Sequence, residues 1–376
     1  MKKHIYLSAI ALVAIASFSS CKKKTTEPEP EPTPANPTPA TPSYTIPTTY
    51  NYTNTAAGIT TATNCIAMLA EITTYIRSTH TATAATQPTI SAQKLKDMYA
   101  NTGSQFTLTA LNSSTISLKA KSGTALNFPT LQDANFDDAQ PASITSAANP
   151  TVSTASNGVK GKLISPARAI LVDANGFEYK EYTEKGVMGA VFYYQATTIL
   201  ANIGSLTTTA AQEQAWDEAF GYFGVPTDFP TNLTGLKNWG SYCNSVNVAI
   251  GSNSLIMNAF LKGRAAIINN DATGRDEARN AVIANWEKVA AAKCISYLKG
   301  AKNNLSDQAT LHHNLSEGYG FVVAFQYNPN KTISQADINT LLSYFGTNLY
   351  NLQTSNLDLA IAKLESVFGL NASLIP

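Results

Sequence analysis

His313 and Glu317 stand four residues apart in the stretch Leu311–Tyr327, LHHNLSEGYGFVVAFQY. On a helix this spacing puts both side chains on one face. An imidazole and a carboxylate so placed can ligate a metal, share a proton, or simply satisfy each other. The chain has four histidines, and two of them, His312 and His313, lie here. The apolar run Phe321–Phe325 that follows asks for a largely buried helix.

Other polar residues fall inside otherwise apolar helical patterns: Glu184, Gln195, Asp217, Glu218, Arg264 and Glu287. Charged groups in such surroundings are costly unless paired, so each needs a partner. Two arrangements are open. One is structural pairing, Arg264 with Glu287 or Asp217 and His313 with Glu317. The other gathers His313 and Glu317 with carboxylates from Glu287, Asp217 and Glu218 around a metal in a helical bundle, leaving Glu184, Gln195 and Arg264 to bind a ligand. Carboxylates with one imidazole suit iron, manganese or zinc better than copper(I). Pairing has the greater weight, because structural ion-pair networks draw on the same residue types.

No enzyme motif completes the picture. The chain has no GxSxG elbow, no HExxH, no P-loop, and no GxGxxG opening a helix after a strand. A binding protein is the better expectation than an enzyme. His312 is expected to be exposed or near the helix start, and His80 to sit on a loop. Trp216, Trp239 and Trp286 are expected in the core.

The elements that must position these residues are mostly helices. Ile66, Leu69, Ile72 and Tyr75–Ile76 recur at helical spacing within Thr63–Thr79, and Ser91 is a natural N-cap for a helix over Ser91–Ala100. Residues 101–160 read as irregular surface structure with short strands: Gln105–Leu118 alternates weakly, and Asn135–Lys160 is rich in Ala, Ser, Asn and Pro. Ala169–Tyr179 reads as a hairpin turning on Asn175-Gly176. Helices follow over Glu181–Asn202, Thr208–Phe223 (stopped by Gly224), Leu255–Asn270, Arg275–Lys299, Asp307–Gln326, Ser334–Tyr350 and Leu357–Phe368, with a polar connection between Gly224 and Asn253. In the first of these, Glu184, Val191 and Gln195 form a stripe at i, i+7 and i+11. The fold class is therefore mainly α, an up-and-down helical bundle with a small irregular and β-hairpin portion.

The amino terminus says where the protein works. Lys2, Lys3 and His4 precede an apolar run, Ile5–Phe18, which is too short to be read as a spanning helix and reads as a signal peptide over residues 1–21. Phe18-Ser19-Ser20-Cys21 resembles a bacterial lipobox, in which Cys21 is acylated after cleavage. Residues 22–49 are Pro-rich and polar, an extended linker that at ~3.1 Å per residue holds a body away from the bilayer. The body then runs from 50 to 160 as a helical and irregular part and from 161 to 376 as the bundle. Cys65, Cys243 and Cys294 form no CxxC pair and are expected to be buried and inert. A net charge of +1 and a charged fraction of only 14% give no footprint for nucleic acid.

The segments EKGVMGAVFY (Glu184–Tyr193), WDEAFGYFG (Trp216–Gly224), KGRAAI (Lys262–Ile267), NWEKVAA (Asn285–Ala291) and HNLSEGYGF (His313–Phe321) resemble, in this order, a family of Gram-negative lipoproteins known by the label domain of unknown function 4856. The chain also bears a distant similarity to imelysin-like helical-bundle envelope proteins, which are linked to iron uptake. The imelysin motif GxHxxE is not present: His313 and Glu317 have one residue too many between them, and Leu311 stands two before His313. No metal ligand is therefore carried over.

Together these readings imply a cell-envelope binding protein, anchored by lipid to the outer membrane at its periplasmic face or at the cell surface, that captures a metal or a metal-containing ligand for uptake. The alternative is a glycan- or peptide-binding lipoprotein serving an outer-membrane nutrient transporter. A third class is a metal-dependent hydrolase with Glu317 as general base.

Overall fold

The computed structural model describes residues 42–52, 56–81 and 83–376, with 56–58 as backbone only. Cys21, the signal segment and residues 22–41 of the linker lie outside the described residues. Residues Pro42–Pro376 form one compact unit.

Helix α1 (Ala56–Arg77) buries Ile66, Leu69, Ile72 and Ile76, the stripe expected from spacing. Helix α2 (Ala92–Ala100) starts as expected at Ser91, whose hydroxyl accepts from the Lys94 N–H. The next region departs from expectation. In place of strands and irregular chain come two single turns, α3 (Thr109–Asn112) and α4 (Leu118–Lys121), and then a long helix, α5 (Phe128–Ala148). The buried face of α5 is Phe128, Gln132, Phe136, Ala139, Ala142, Ser143 and Ser146. Small and polar residues on a buried face leave almost no amphipathic signal, so composition pointed to a loop where packing makes a helix. Buried Gln132 finds its partner in Thr183, 3.0 Å away.

Strands β1 (Gly161–Ile164) and β2 (Ala169–Val172) pair antiparallel, Gly161 opposite Val172 and Ile164 opposite Ala169. The hairpin thus turns at Ser165–Arg168, closed by a 2.8 Å bond from Ser165 N–H to Arg168 C=O, and not at Asn175-Gly176. The Asn-Gly turn does form, with Gly176 at φ +87°, but it closes a single bridge between Val172 and Glu178. The chain enters a helix at Tyr179, which leaves no strand to extend the ladder.

That helix is continuous from α6 (Tyr179–Val187) through a π-helical segment (Met188–Tyr193) into α7 (Tyr194–Asn202). All six π residues are buried. The wider turn shifts the register, so Glu184 and Gln195 do not share a stripe. Helix α8 (Thr209–Phe223) stops at Gly224 in the left-handed region, as expected. The expected polar connection instead contains helix α9 (Asn238–Ile250), nucleated on the buried spacing Trp239, Cys243 and Val246. Then follow α10 (Ser252–Ile268), α11 (Ala272–Lys302), α12 (Gln308–Ala324), α13 (Gln335–Phe345) and α14 (Thr354–Phe368). The fold is mainly α, with one small antiparallel sheet among the described residues.

Helix α11 lies between α10 and α12 and carries Trp286, which meets Trp239, Tyr193 and Phe223 at the centre of the core. All three tryptophans are fully buried. The three cysteines of the body are buried free thiols, and burial pushes Cys65 and Cys243 up to about 12. Against this apolar centre, α6 and α12 face each other and carry a concentration of charge.

Candidate functional site

Glu178 precedes the first turn of α6. Along α6, Lys180 and Glu184 are i and i+4, as are Glu181 and Lys185, so two ion pairs lie on one side of the helix at 2.5 and 2.8 Å. Opposite them α12 presents His313 and Glu317 on one face, as the spacing predicted. Lys185 Nζ is the hub: it lies 2.8 Å from Glu181, 3.2 Å from Glu184 and 2.9 Å from Glu317, and 5.0 Å over the Tyr242 ring. Four glutamates thus meet Lys180, Lys185 and His313 in a chain with only 14% charged residues. Lys293, from α11, lies over the Tyr297 ring at 4.6 Å.

His313 is held differently from expectation. Its Nδ1 is 2.8 Å from Glu178 Oε2 and 3.6 Å from Glu181 Oε1, while Nε2 is 3.7 Å from Glu317 Oε1. Burial alone would discharge this ring, but the carboxylates, Glu178 foremost, outweigh it and raise its pKa. Both nitrogens face acidic side chains, which favour its protonated form. Burial likewise pushes Glu181 up, and Lys185, Lys180 and His313 together hold it well below the usual range. Glu317 goes the other way. Burial first, then the charge of Glu181, raise it to about 7 despite Lys185 and His313.

Glu178, Glu181 and His313 each offer one ligand atom, all within 4.8 Å of one another. His80, on the loop after α1 as expected, turns its ring inward: Nδ1 is 3.8 Å from Glu178 Oε1, and Nε2 accepts the Leu171 N–H at 3.4 Å. A nitrogen that accepts a backbone N–H leaves the proton on Nδ1, and burial keeps this ring neutral by lowering its pKa. His80 therefore steadies Glu178. The cluster opens to solvent through a cavity of about 310 Å³, walled by Arg77, His80, Arg168 and Lys180. Among the described residues neither arginine forms an ion pair.

The chemistry this allows is specific. A cation on His313 Nδ1, Glu178 and Glu181 would replace the imidazolium proton. His313 Nε2–H would then face Glu317, the carboxylate–histidine–metal arrangement that fixes a ring and its tautomer.

The remaining residues singled out from sequence lie elsewhere. Asp217 accepts Arg264 Nε at 2.8 Å and the Tyr50 hydroxyl at 2.7 Å, and Arg264 also meets Glu213 at 3.1 Å. Of the two partners considered for Arg264, the structure brings Asp217. Glu287 accepts the Thr332 N–H at 2.8 Å and its hydroxyl, and burial raises its pKa. Glu218 pairs with Lys121 and Tyr222. Gln195 donates to the Lys121 carbonyl at 2.6 Å, and Glu184 belongs to the Lys180–Lys185 network. So Glu184, Gln195 and Arg264 are not gathered at one place, and neither are Glu287, Asp217 and Glu218 with His313. His312, expected to be exposed or near the helix start, lies in the second turn of α12 and is fully buried, with Nδ1 2.9 Å from the Gly176 carbonyl and the ring against Tyr350. It packs under the Asn-Gly turn, where a Cβ on Gly176 would sit 2.3 Å from the ring.

Glu178, Glu181, Lys180, Lys185 and His80 were missed by the sequence reading. One signal was available: EYKEYTEK (Glu178–Lys185) is a dense charge run in a charge-poor chain.

A family model described as Domain of unknown function (DUF4856) matches residues 47–203 and 205–370, and the chain belongs to that family. No curated protein and no solved structure matches the chain.

Proposed function

We propose that this member of the DUF4856 family is a lipid-anchored binding protein of the cell envelope that captures a metal ion, or a small anionic complex of one, for uptake. The carrying observation is the convergence of Glu178, Glu181 and His313 within 4.8 Å beneath an open cavity. The donor set, two carboxylates and one imidazole, suits zinc, manganese or iron(II). Arg77 and Arg168 at the mouth favour a metal that arrives with anionic ligands, since two guanidinium groups, of which Arg168 is partly offset by the charge of Asp307, would repel a bare cation and hold carboxylate or phosphate oxygens. Glu317 orients His313 in this reading and is not a ligand. The anchoring part of the proposal rests on the lipobox-like Phe18–Cys21 and the linker after it.

The test is metal content and thermal stability of the purified body, in chelator and after adding zinc, manganese or iron(II). One of these should raise the melting temperature of the wild type and leave that of Glu178→Gln and His313→Ala unmoved. If no metal shifts the wild type, the capture function is wrong.

A further inference from the structure

Helix α6 has a second face. Tyr182 and Gly186, at i and i+4, point away from the ion network into a slot between α5 and α12. The slot has a volume of about 80 Å³ and is walled by Phe128, Phe177, Tyr319, Val323 and Tyr327. Glycines on α6 and α12 let its walls and the two helices approach closely. A Cβ on Gly186 would sit 2.6 Å from the Phe128 ring, and one on Gly320 2.4 Å from Lys185 Cβ. Past Tyr182, Phe177 and Tyr319 the slot shares its wall with a wider mouth of about 240 Å³, where Asn135, Asp138, Asp173 and Tyr179 add polar atoms.

The two aspartates at this mouth differ. Asp138 is committed: Lys160 pairs with it and the Tyr179 hydroxyl donates to it at 2.5 Å. Asp173 has only backbone donors, with Oδ1 accepting the N–H groups of Asn175 and Phe177 at 2.8 Å each. Among the described residues no basic side chain pairs with it. The mouth therefore carries one uncompensated carboxylate, half-buried among aromatic rings. Burial, with help from Asp138, raises its pKa against the pull of those N–H groups, the sign of a charge short of a counterion.

We propose that this cavity binds a small organic cation, its ammonium head at Asp173 and an aromatic or branched apolar tail in the slot. Each part of the ligand answers a feature of the site. The head meets a carboxylate without a counterion among the aromatic side chains of Phe177, Tyr179 and Tyr182, a class of group that attracts cations. The tail meets walls that are mostly apolar, with few polar atoms for the hydroxyls of a sugar. An anion would face Asp173 with no compensating base.

The site is separate from the metal cluster and its test is independent of it. The probe is phenethylamine, titrated calorimetrically into the whole body in chelator, beside N-acetylphenethylamine, 3-phenylpropionate and methyl glucoside. The amine should bind, and the neutral, anionic and sugar probes should bind at least about tenfold more weakly, the worth of one charge contact of ~1.4 kcal/mol. Asp173→Asn keeps an acceptor for the two N–H groups while removing the charge, and it should lose the amine to the same extent with a circular dichroism melt no lower than that of the wild type. Tyr182→Ala should weaken it through the slot wall, whereas Glu178→Gln, which disables the metal cluster, should leave it intact. No binding of the amine, equal binding by Asp173→Asn, or preference for the glucoside each overturns the proposal, and the last would mark a carbohydrate site.

Discussion

His313 Nδ1 lies 2.8 Å from Glu178, a residue 135 positions earlier, and nearer to it than either ring nitrogen lies to Glu317, one helical turn away. This inverts the roles that helical spacing suggests. The local neighbour is the orienting group, and the distant one shares the ring's reactive edge. Bound metal must displace the proton on Nδ1, so capture should release about one proton per ion. The sign follows from the raised pKa of His313: affinity is weak where the imidazolium persists, rises with pH, and levels off above that pKa. Calorimetry in buffers of different ionisation heat measures the released proton. Binding without proton release would mean that His313 is not a ligand.

Asp217 and Arg264 form a purely structural pair on this account. Both are buried, and Asp217 also accepts the Tyr50 hydroxyl. Asp217→Ala leaves a guanidinium with Glu213 alone, and removing one partner of a buried pair costs about 3–5 kcal/mol. Urea unfolding should show that loss, while the stabilisation by added metal stays at its wild-type size. A loss of metal response in this variant, with the fold intact, would bring Asp217 back into the site.

The legible part of the fold was the part written in large apolar residues. The limits of α12, the tryptophan core and the α1 stripe all follow from spacing that a single helix carries by itself. Helix α5 was not legible, because its buried face is mostly Ala, Ser and Gln and its stability comes from what it packs against. The π segment was not legible either, since an extra residue in one turn leaves no mark in composition. For the site, the sequence placed His313 and Glu317 together but left Glu178 unnoticed. The contact between α6 and α12 that makes the site is long-range, and only the charge run Glu178–Lys185 hinted at it.

Membrane attachment has a separate test. No helix among the described residues is long and apolar enough to cross a membrane, and the proposed anchor is the lipobox-like Cys21. Cys21→Ala should move the protein out of the membrane pellet after a high-salt wash. Retention of the variant in the pellet would remove the lipid anchor from the proposal.

Glu317 gives the sharpest test of the network itself. Its carboxyl titrates near 7 in the folded chain against an ordinary value of 4.5. The folded state therefore holds this proton more tightly than the unfolded one, and the contribution of Glu317 to stability is fully present below pH 4.5 and is lost as pH rises to about 7. His313, also raised, acts in the same direction, losing its contribution as pH passes upward through its own pKa. Glu181 and Glu184 are both lowered, so they stay ionised across this window and do not oppose the trend. Glutamine copies the shape of the protonated acid. Glu317→Gln should match the wild type near pH 5 and exceed it at pH 8 by on the order of 1–3 kcal/mol, a gain of several degrees in melting temperature. The pH dependence of the apo protein should flatten without vanishing, because His313 remains. The rival outcome is equally definite. If Lys185 needs Glu317 as an anion, 2.9 Å away, more than burial disfavours that charge, the variant melts below wild type at pH 8. Melting curves of both proteins in chelator at pH 5 and pH 8 decide between them.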